Sequence, residues 1–179
     1  MIKITRFTAT LAAATVVAAP LAAQDMSGFY FGGDISSFDT EFENLTVTGD
    51  GLGYGAHAGY RYAIDQTFFV EGEVFAQILD GETNTGNTEF ESYYGLSAGV
   101  GAYVAPGVSV MGFAGLAEIQ SENTTAGSQS DDGYLAGFSL GYDITPQNTI
   151  SLRYTRVTLD GTFGDVDADI IGLRYSFRF

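Results

Sequence analysis

Few side chains in this 179-residue sequence have the chemistry of a catalytic centre. There is no cysteine, which excludes disulfides, thiolate zinc sites and cysteine nucleophiles, and there is one histidine, His57. The segment His57-Ala58-Gly59 provides no serine next to the imidazole. We therefore interpret His57 as a packed or hydrogen-bonded histidine, and we predict a protein that is not an enzyme and needs no cofactor.

Several charged residues lie at alternating positions of segments that read as strands. Because isolated charges in a dry interior cost several kcal/mol, these charges should pair with one another. We predict that Glu71 and Glu73 pair with Arg153 and Arg174 and plug the interior of a closed sheet. The alternative is a gate, in which a change of partners opens a narrow water path. The full predicted lumen charge network is Arg61, Glu71, Glu73, Asp143, Arg153, Arg174 and Arg178, with Asp34 on the same face.

Acidic residues outnumber basic ones, with 22 Asp and Glu against 7 Lys and Arg and a net charge of −15. Such a chain is a poor candidate for nucleic-acid binding. Most of the acids fall in polar connections, where we interpret them as a solvated surface, with divalent-cation bridging as the alternative. Asp165, Asp167 and Asp169 share one strand face and offer oxygen ligands suited to Ca²⁺, but the segment lacks the glycine and closing glutamate of a calcium loop. They are candidates, and we assign no metal site.

The first residues resemble an export address. Lys3 and Arg6 precede an apolar run that extends from Leu11 to Ala19, and small residues follow up to Ala23. This order is typical of a secretory signal peptide, and the run is shorter than the roughly 20 residues of a spanning helix. We predict a signal peptide at residues 1–23 and one domain at residues 24–179. The alternative for the first segment is an amphipathic helix of the folded domain.

The rest of the chain alternates between strand-like segments and polar connections. Its 24 glycines and its period-two patterns favour strands over helices. Short connections alternate with longer ones, which is typical of an up-and-down barrel of outer-membrane type. We predict an all-β, eight-stranded antiparallel transmembrane barrel. The predicted strands are Gly28–Asp39, Leu52–Ala63, Phe68–Asp80, Glu91–Val104, Val108–Gln120, Gly133–Ile144, Thr149–Asp160 and Val166–Phe179.

Side-chain parity indicates which face of the sheet meets lipid. In the last strand Leu173 and Tyr175 lie on one face, and Arg174 and Arg178 lie on the other. In the second, fourth and sixth strands the polar face is crowded with Gly and Ser, which suits the narrow lumen of an eight-stranded barrel. We therefore place the apolar face outward. The predicted tyrosine girdle near the short turns is Tyr60, Tyr62, Tyr142 and Tyr175.

Two positions resist this parity rule. The fifth strand shows no clear alternation, and its orientation is left unassigned. Arg156 has outward parity, which is costly near the centre of a bilayer. Either a bulge turns Val157 and Leu159 toward lipid instead, or Arg156 reaches the phosphates at the membrane surface.

The closing residues 172–179, Gly-Leu-Arg-Tyr-Ser-Phe-Arg-Phe, look like the C-terminal signature of bacterial outer-membrane barrels. The whole chain resembles the OmpA-like and porin-family small barrels of Gram-negative bacteria. The resemblance implies an outer-membrane location among lipid and lipopolysaccharide, a monomer, and recognition by the barrel-assembly machinery. Since the sequence stops at Phe179, we expect no peptidoglycan-binding domain and carry over no wall-anchoring role. The residues that match the signature are Leu173, Tyr175, Phe177 and Phe179.

Four functional hypotheses follow from the sequence. The leading one is a structural or surface-interaction protein of the outer membrane whose lumen is plugged by charges. The second is a narrow channel for ions or small solutes. The third is a lipid-modifying enzyme, which is disfavoured because the sequence offers no evident nucleophile–base pair. The fourth is a soluble secreted barrel that holds an apolar ligand.

Overall fold

The computed structural model describes residues 27–42, 48–83, 88–123, 127–159 and 166–179. The predicted signal peptide at residues 1–23 and Asp165 lie outside the described residues. Each strand pairs antiparallel with its chain neighbour, and β1 pairs with β8, so the sheet closes into a barrel. The predicted eight-stranded all-β fold is confirmed. The strands are β1 (Gly28–Phe42), β2 (Thr48–Ala63), β3 (Phe68–Thr83), β4 (Thr88–Ala105), β5 (Val108–Asn123), β6 (Gly127–Asp143), β7 (Asn148–Leu159) and β8 (Val166–Arg178).

Several strands are longer than predicted at the end away from the short turns, which we call the outer end. β6 begins at Gly127 rather than Gly133, and β2 begins at Thr48 rather than Leu52. Much of the sequence predicted as polar connection is therefore paired sheet. At the outer end of β6, Ser130, Asp131 and Asp132 are polar on both faces, so this segment lacks the apolar alternation by which a membrane strand is recognised. Backbone pairing needs no such alternation.

The short turns connect the strands at the opposite end of the barrel. Pro106 and Gly107 form the turn between β4 and β5, and Gly107 has a φ of 73°, a conformation that side chains disfavour. Between β2 and β3, the Asp65 carboxylate accepts backbone N–H bonds from Thr67 and Phe68, both at 2.7 Å. These contacts satisfy amide groups that the sheet leaves unpaired.

The outer face of the barrel is apolar, as the parity rule predicts. Leu173, Phe138 and Val100 are 50%, 62% and 61% exposed, whereas Arg174 and Arg153 are buried. A soluble barrel would reverse this arrangement, so that hypothesis is wrong. None of the residues that the structure describes forms a helix long and apolar enough to span a bilayer.

Tyrosines mark both edges of the apolar belt. The predicted girdle residues Tyr60, Tyr62, Tyr142 and Tyr175 are exposed near the short turns. A second set, Tyr54 on β2 and Tyr134 on β6, lies eight residues from Tyr62 and Tyr142 toward the outer end. At roughly 3.3 Å per residue and a tilt of roughly 40°, eight residues rise about 20 Å, close to the roughly 25 Å apolar band of such barrels.

The interior has two layers of different chemistry. Toward the outer end it is an apolar core, whereas the half near the short turns is polar and charged. β5 contributes Phe113 and Ile119 to this core while Val110 and Leu116 face lipid, so both of its faces are apolar. This explains why its sequence shows no parity. The buried residues of this core are Phe38, Leu79, Tyr93, Phe113, Ala117, Ile119, Leu135, Val157, Leu159, Ala168 and Ile170.

Arg156 faces outward without any bulge in its strand. The pairing of β6 with β7 runs in unbroken register from Gly133–Leu159 to Asp143–Thr149. Val157 and Leu159 are buried in the apolar core, so the predicted bulge is wrong. The Arg156 guanidinium donates to Asp167 at 2.7 Å near the outer end of β8.

Candidate functional site in the barrel lumen

Glu73 is the centre of the charged half of the lumen. Arg153 Nη1 donates to Glu73 Oε1 at 2.9 Å, and Arg174 Nη1 donates to both carboxylate oxygens at 3.1 Å. All three residues are buried. Arg153 also donates to Ser97 Oγ at 3.2 Å and lies 3.6 Å from the centre of the Phe113 ring. One carboxylate on β3 therefore joins arginines from β7 and β8 across the lumen.

Glu71 belongs to a second cluster closer to the short turns. Arg61 Nε donates to Glu71 Oε2 at 2.6 Å, and Arg61 Nη1 donates to the Tyr103 hydroxyl at 2.9 Å. The Tyr103 hydroxyl in turn donates to Asp143 at 2.9 Å, with Arg178 at 3.9 Å from the same carboxylate oxygen. The predicted pairing of Glu71 with Arg153 or Arg174 is not what the structure shows. Arg61 and Glu71 are direct cross-strand partners, so Arg61 reaches this carboxylate first.

Tyr30 connects the two clusters. Its hydroxyl lies 2.8 Å from Glu71 Oε1 and 3.1 Å from Glu73 Oε2, within donating distance of both carboxylates. Gly59 makes room for this phenol, because a Cβ at that position would lie 2.5 Å from the Tyr30 hydroxyl oxygen. All the lumen charges named from the sequence therefore belong to one connected polar region. In the part of the chain that the structure describes, no buried side-chain nitrogen or oxygen lacks a hydrogen-bond partner.

A third arrangement involves His57, which is hydrogen-bonded and buried, as the sequence analysis predicts. His57 Nδ1 lies 3.2 Å from Asp34 Oδ1, and His57 Nε2 lies 2.8 Å from Ser176 Oγ. Asp34 lies on β1, two residues after Gly32. Gly32 pairs with His57 on β2 and with Ser176 on β8. Sequence inspection missed this meeting, because it depends on the register of three strands. The serine is 119 positions from His57 along the chain.

Two small cavities lie on either side of Glu73 and Arg174, which line both. The cavity nearer the apolar core is bordered by Asp34 and Gln77. Its empty volume is about 370 Å³, counting the open space at its mouth. The cavity nearer the short turns is bordered by Ser176 and has about 550 Å³, counting the open space at its mouth. The ion-paired cluster therefore separates the lumen space into two compartments.

Two of the three candidate calcium ligands, Asp167 and Asp169, are described, and both accept hydrogen bonds from side chains. Asp167 accepts hydrogen bonds from Arg156 at 2.7 Å and from Thr158 at 2.9 Å. Asp169 accepts one from the Tyr154 hydroxyl at 2.7 Å. Within the described ranges, no three acidic or histidine side chains converge to hold a metal ion.

The four residues of the C-terminal signature lie on the lipid-facing side of β8 and at its end. Leu173, Tyr175 and Phe179 are exposed, and Phe177 is half-buried. The rings of Phe177 and Phe179 lie 6.0 Å and 5.6 Å from the Phe31 ring on β1. These aromatics cover the seam at which the first and last strands close the barrel.

Comparison with known proteins agrees with this geometry. Residues 8–179 match the protein family described as the outer membrane protein beta-barrel domain. The chain is similar to Ail, the attachment invasion locus protein of Yersinia pestis, solved with the heparin analogue sucrose octasulfate (18% identity, 86% of this chain and 99% of that chain covered, TM-score 0.58). It is also similar to Neisserial surface protein A (17% identity, 86% and 98% covered, TM-score 0.62). No curated protein sequence matches the chain.

Proposed function

The chain belongs to the outer membrane protein beta-barrel family, and on that premise we propose that it is a structural or surface-interaction protein with a plugged lumen. Its place is the outer membrane of a Gram-negative bacterium, with the short turns on the periplasmic side as in other barrels of this type. The single observation that carries the proposal is the filling of the lumen. Charged residues fill the periplasmic half, and an apolar core fills the outer half.

The plug is built to resist ion passage in two ways. Glu73 pairs with both Arg153 and Arg174, and the Asp34 carboxylate lies 4.0 Å from Arg174, so a passing ion would have to displace these partners. Beyond them, Leu135 and Val157 are almost completely buried in the apolar core, which offers an ion no polar contacts. We therefore propose a silent barrel rather than a channel.

Planar-bilayer recording tests the plug. The wild-type protein is expected to show no steady conductance, and a stable open state in the unmodified chain would contradict the proposal. The alternative function is a gate in which the carboxylates change partners, supported by Tyr30, which contacts both Glu71 and Glu73. Glu71→Ala should then open a conductance, whereas Asp80→Ala on the outer surface should not. Unchanged silence of Glu71→Ala would remove the gate.

The surface-interaction role concerns the outer end, where the exposed charges of the described residues are acidic apart from Arg156, which is paired with Asp167. Asp39 pairs in register with Asp50 on β2 and with Asp169 on β8, and Asp80 and Asp132 are also exposed. Ail was solved with a heparin analogue, which is a polyanion. The acidic outer end of the present chain would repel such a ligand. We therefore propose cationic partners, or lipopolysaccharide with divalent cations between the two negative surfaces.

Binding measurements on the protein in lipid nanodiscs test this choice. A basic protein such as cytochrome c should bind and dissociate as salt rises, because exposed charges are screened. Heparin should not bind. Tight heparin binding by the wild-type chain would contradict the proposed cationic preference. Loss of cytochrome c binding in Asp39→Asn/Asp50→Asn would identify the acidic outer end as the binding surface.

A further inference from the structure

Three side chains in the periplasmic half of the lumen form a chain of contacts that the plug does not require. Ser176 Oγ lies 2.8 Å from His57 Nε2, and His57 Nδ1 lies 3.2 Å from Asp34 Oδ1. A nucleophile, a base and a carboxylate that orients the base, in that order, are the parts of an activated serine. No other imidazole exists in the chain that could play this role.

The hydrogen-bonding capacities of the groups assign the direction of the chain. An ionised carboxylate can only accept, so Asp34 places the imidazole proton on Nδ1. Nε2 then carries the lone pair and accepts the hydroxyl proton of Ser176. This is the tautomer in which an imidazole can remove a serine proton. Gln77 Nε2 donates to Asp34 Oδ2, and the Gln77 amide oxygen accepts a hydrogen bond from Ser36 Oγ. These contacts hold the Asp34 carboxylate through the oxygen that does not contact His57.

The backbone packs closely against the imidazole, whereas the serine borders a cavity. Gly32 lies between His57 and Ser176 in the sheet, and a Cβ there would lie 2.7 Å from the imidazole ring. His57 is only 3% exposed, whereas Ser176 is half-buried and lines the periplasmic cavity. Arg174 and Arg178 flank Ser176 on the same face of β8 and line the same cavity. They can supply positive charge to an oxyanion formed at the serine.

From this geometry we propose that Ser176 is an activated nucleophile that attacks small carboxylic esters entering the lumen from the periplasm. His57 Nε2 takes the Ser176 proton as the Oγ–C bond forms, and it returns that proton to the leaving alkoxide as the ester C–O bond breaks. Water then attacks the acyl-serine while His57 Nε2 takes one of its protons, and His57 returns that proton to Ser176 Oγ as the acyl C–Oγ bond breaks and the carboxylic acid leaves. Asp34 is a positioning residue. The cavity size limits substrates to small acyl groups.

Covalent labelling of the folded protein in detergent micelles tests the proposal directly. Diisopropyl fluorophosphate should transfer its phosphoryl group to Ser176 with loss of fluoride, and tandem mass spectrometry locates the adduct. Ser176→Ala should lose the label, and His57→Gln should slow labelling by roughly 10²-fold or more. Ser37 on β1 is exposed on the lipid-facing side of the barrel, so Ser37→Ala is the control and should label like the wild type. Wild-type protein that stays unlabelled at Ser176 would overturn the proposal.

Hydrolysis of p-nitrophenyl acetate, followed as nitrophenolate release, tests turnover. Asp34→Asn should lower kcat with little change in KM, because the imidazole loses the carboxylate that orients it while the cavity at Ser176 is kept. Asp34→Glu keeps a carboxylate and should recover part of the lost kcat. An unchanged kcat in folded Asp34→Asn would remove the positioning role of Asp34, and equal rates in wild type and Ser176→Ala would overturn the catalytic proposal.

This activity goes beyond the proposed function and leaves its plug intact. The two fail separately, because conductance tests the plug and labelling tests the serine. A silent barrel without a labelled Ser176 would support the proposed function alone.

Discussion

Arg174 Nη1 donates to both carboxylate oxygens of Glu73 at 3.1 Å, and this contact joins β8 to β3 across the lumen rather than along the sheet. Arg153 reaches the same carboxylate from β7 at 2.9 Å. The barrel wall is held by its own backbone ladder, so the cross-lumen contacts are an additional link between opposite walls. Removing the shared carboxylate would leave two buried guanidinium groups without their main partner.

Glu73→Ala should therefore lower the free energy of unfolding by about 3–5 kcal/mol, the range for breaking a buried ion pair. Urea unfolding in lipid vesicles measures it. Asp80→Ala is the matched control, because Asp80 is an exposed acid on the same strand, and its effect should be small. A loss below about 1 kcal/mol in Glu73→Ala would show that the arginines find other partners or water.

The fold was largely predictable because a membrane barrel repeats one rule. Outward apolar and inward polar residues alternate in β2, β4, β6 and β8, and the structure confirms their orientation. The rule fails where the residues on the two faces of a strand have similar polarity. In β5 the inward Phe113 and outward Leu116 are both apolar, and at the outer end of β6 the inward Asp131 and outward Asp132 are both polar.

The pairing of site residues was harder to predict than their orientation. Parity says that Glu71, Glu73 and Arg61 point inward, but only the cross-strand register shows that Arg61 lies opposite Glu71. The same holds for Ser176, which meets His57 because both residues pair with Gly32. Closure of the barrel between β1 and β8 creates this meeting, and no local sequence pattern encodes it.

Glycines on the two faces of the wall should respond oppositely to a methyl group. At Gly101 a Cβ would lie 2.2 Å from Cζ of Phe69, a buried ring that has the Arg61 guanidinium 4.2 Å from its centre. Gly101→Ala should therefore cost about 1–3 kcal/mol by overpacking. At Gly72, on the lipid side, a Cβ would meet nothing within 4 Å.

Gly72→Ala should accordingly be neutral or stabilising by up to about 1 kcal/mol, since alanine restricts the unfolded chain. Unfolding of both variants in vesicles compares the two sites. Adding Phe69→Leu to Gly101→Ala should recover part of the loss, because the smaller side chain leaves room for the methyl group. If both alanine variants behave alike, the assigned contact between Gly101 and Phe69 is wrong.

The turn between β2 and β3 should lose its carboxylate contacts only in strong acid. Backbone N–H groups of Phe68 and Thr67 donate to Asp65 and hold the pKa of that carboxyl below its ordinary value near ~3.9. Because the pKa is lower in the folded protein, the stabilisation is present above the ordinary value and is lost as pH falls through the lowered one. The amide NMR shift of Phe68, followed from pH 7 downward, measures the transition.

The midpoint of the Phe68 shift should lie below the ordinary aspartate pKa near ~3.9. Asp65→Ala removes the titrating group and should abolish the change. Asp65→Asn keeps an oxygen acceptor, so it should preserve the turn while also removing the titration. A midpoint above the ordinary pKa would mean that the amide contacts do not stabilise the ionised carboxyl.

The C-terminal aromatic residue offers a test of the proposed recognition by the barrel-assembly machinery. Phe179 is 71% exposed at the seam of the barrel, and Phe29 at the start of β1 is 65% exposed on the same outer face. If exposure to lipid were all that mattered, Phe179→Ala and Phe29→Ala would have equal effects. If Phe179 is part of an assembly signal, its loss should slow folding several-fold in vesicles containing the assembly machinery. In vesicles without the machinery, the two variants should fold at similar rates, and folding is scored by the shift between unheated and boiled samples on gels. Equal slowing of both variants in the presence of the machinery would reduce Phe179 to an ordinary lipid contact.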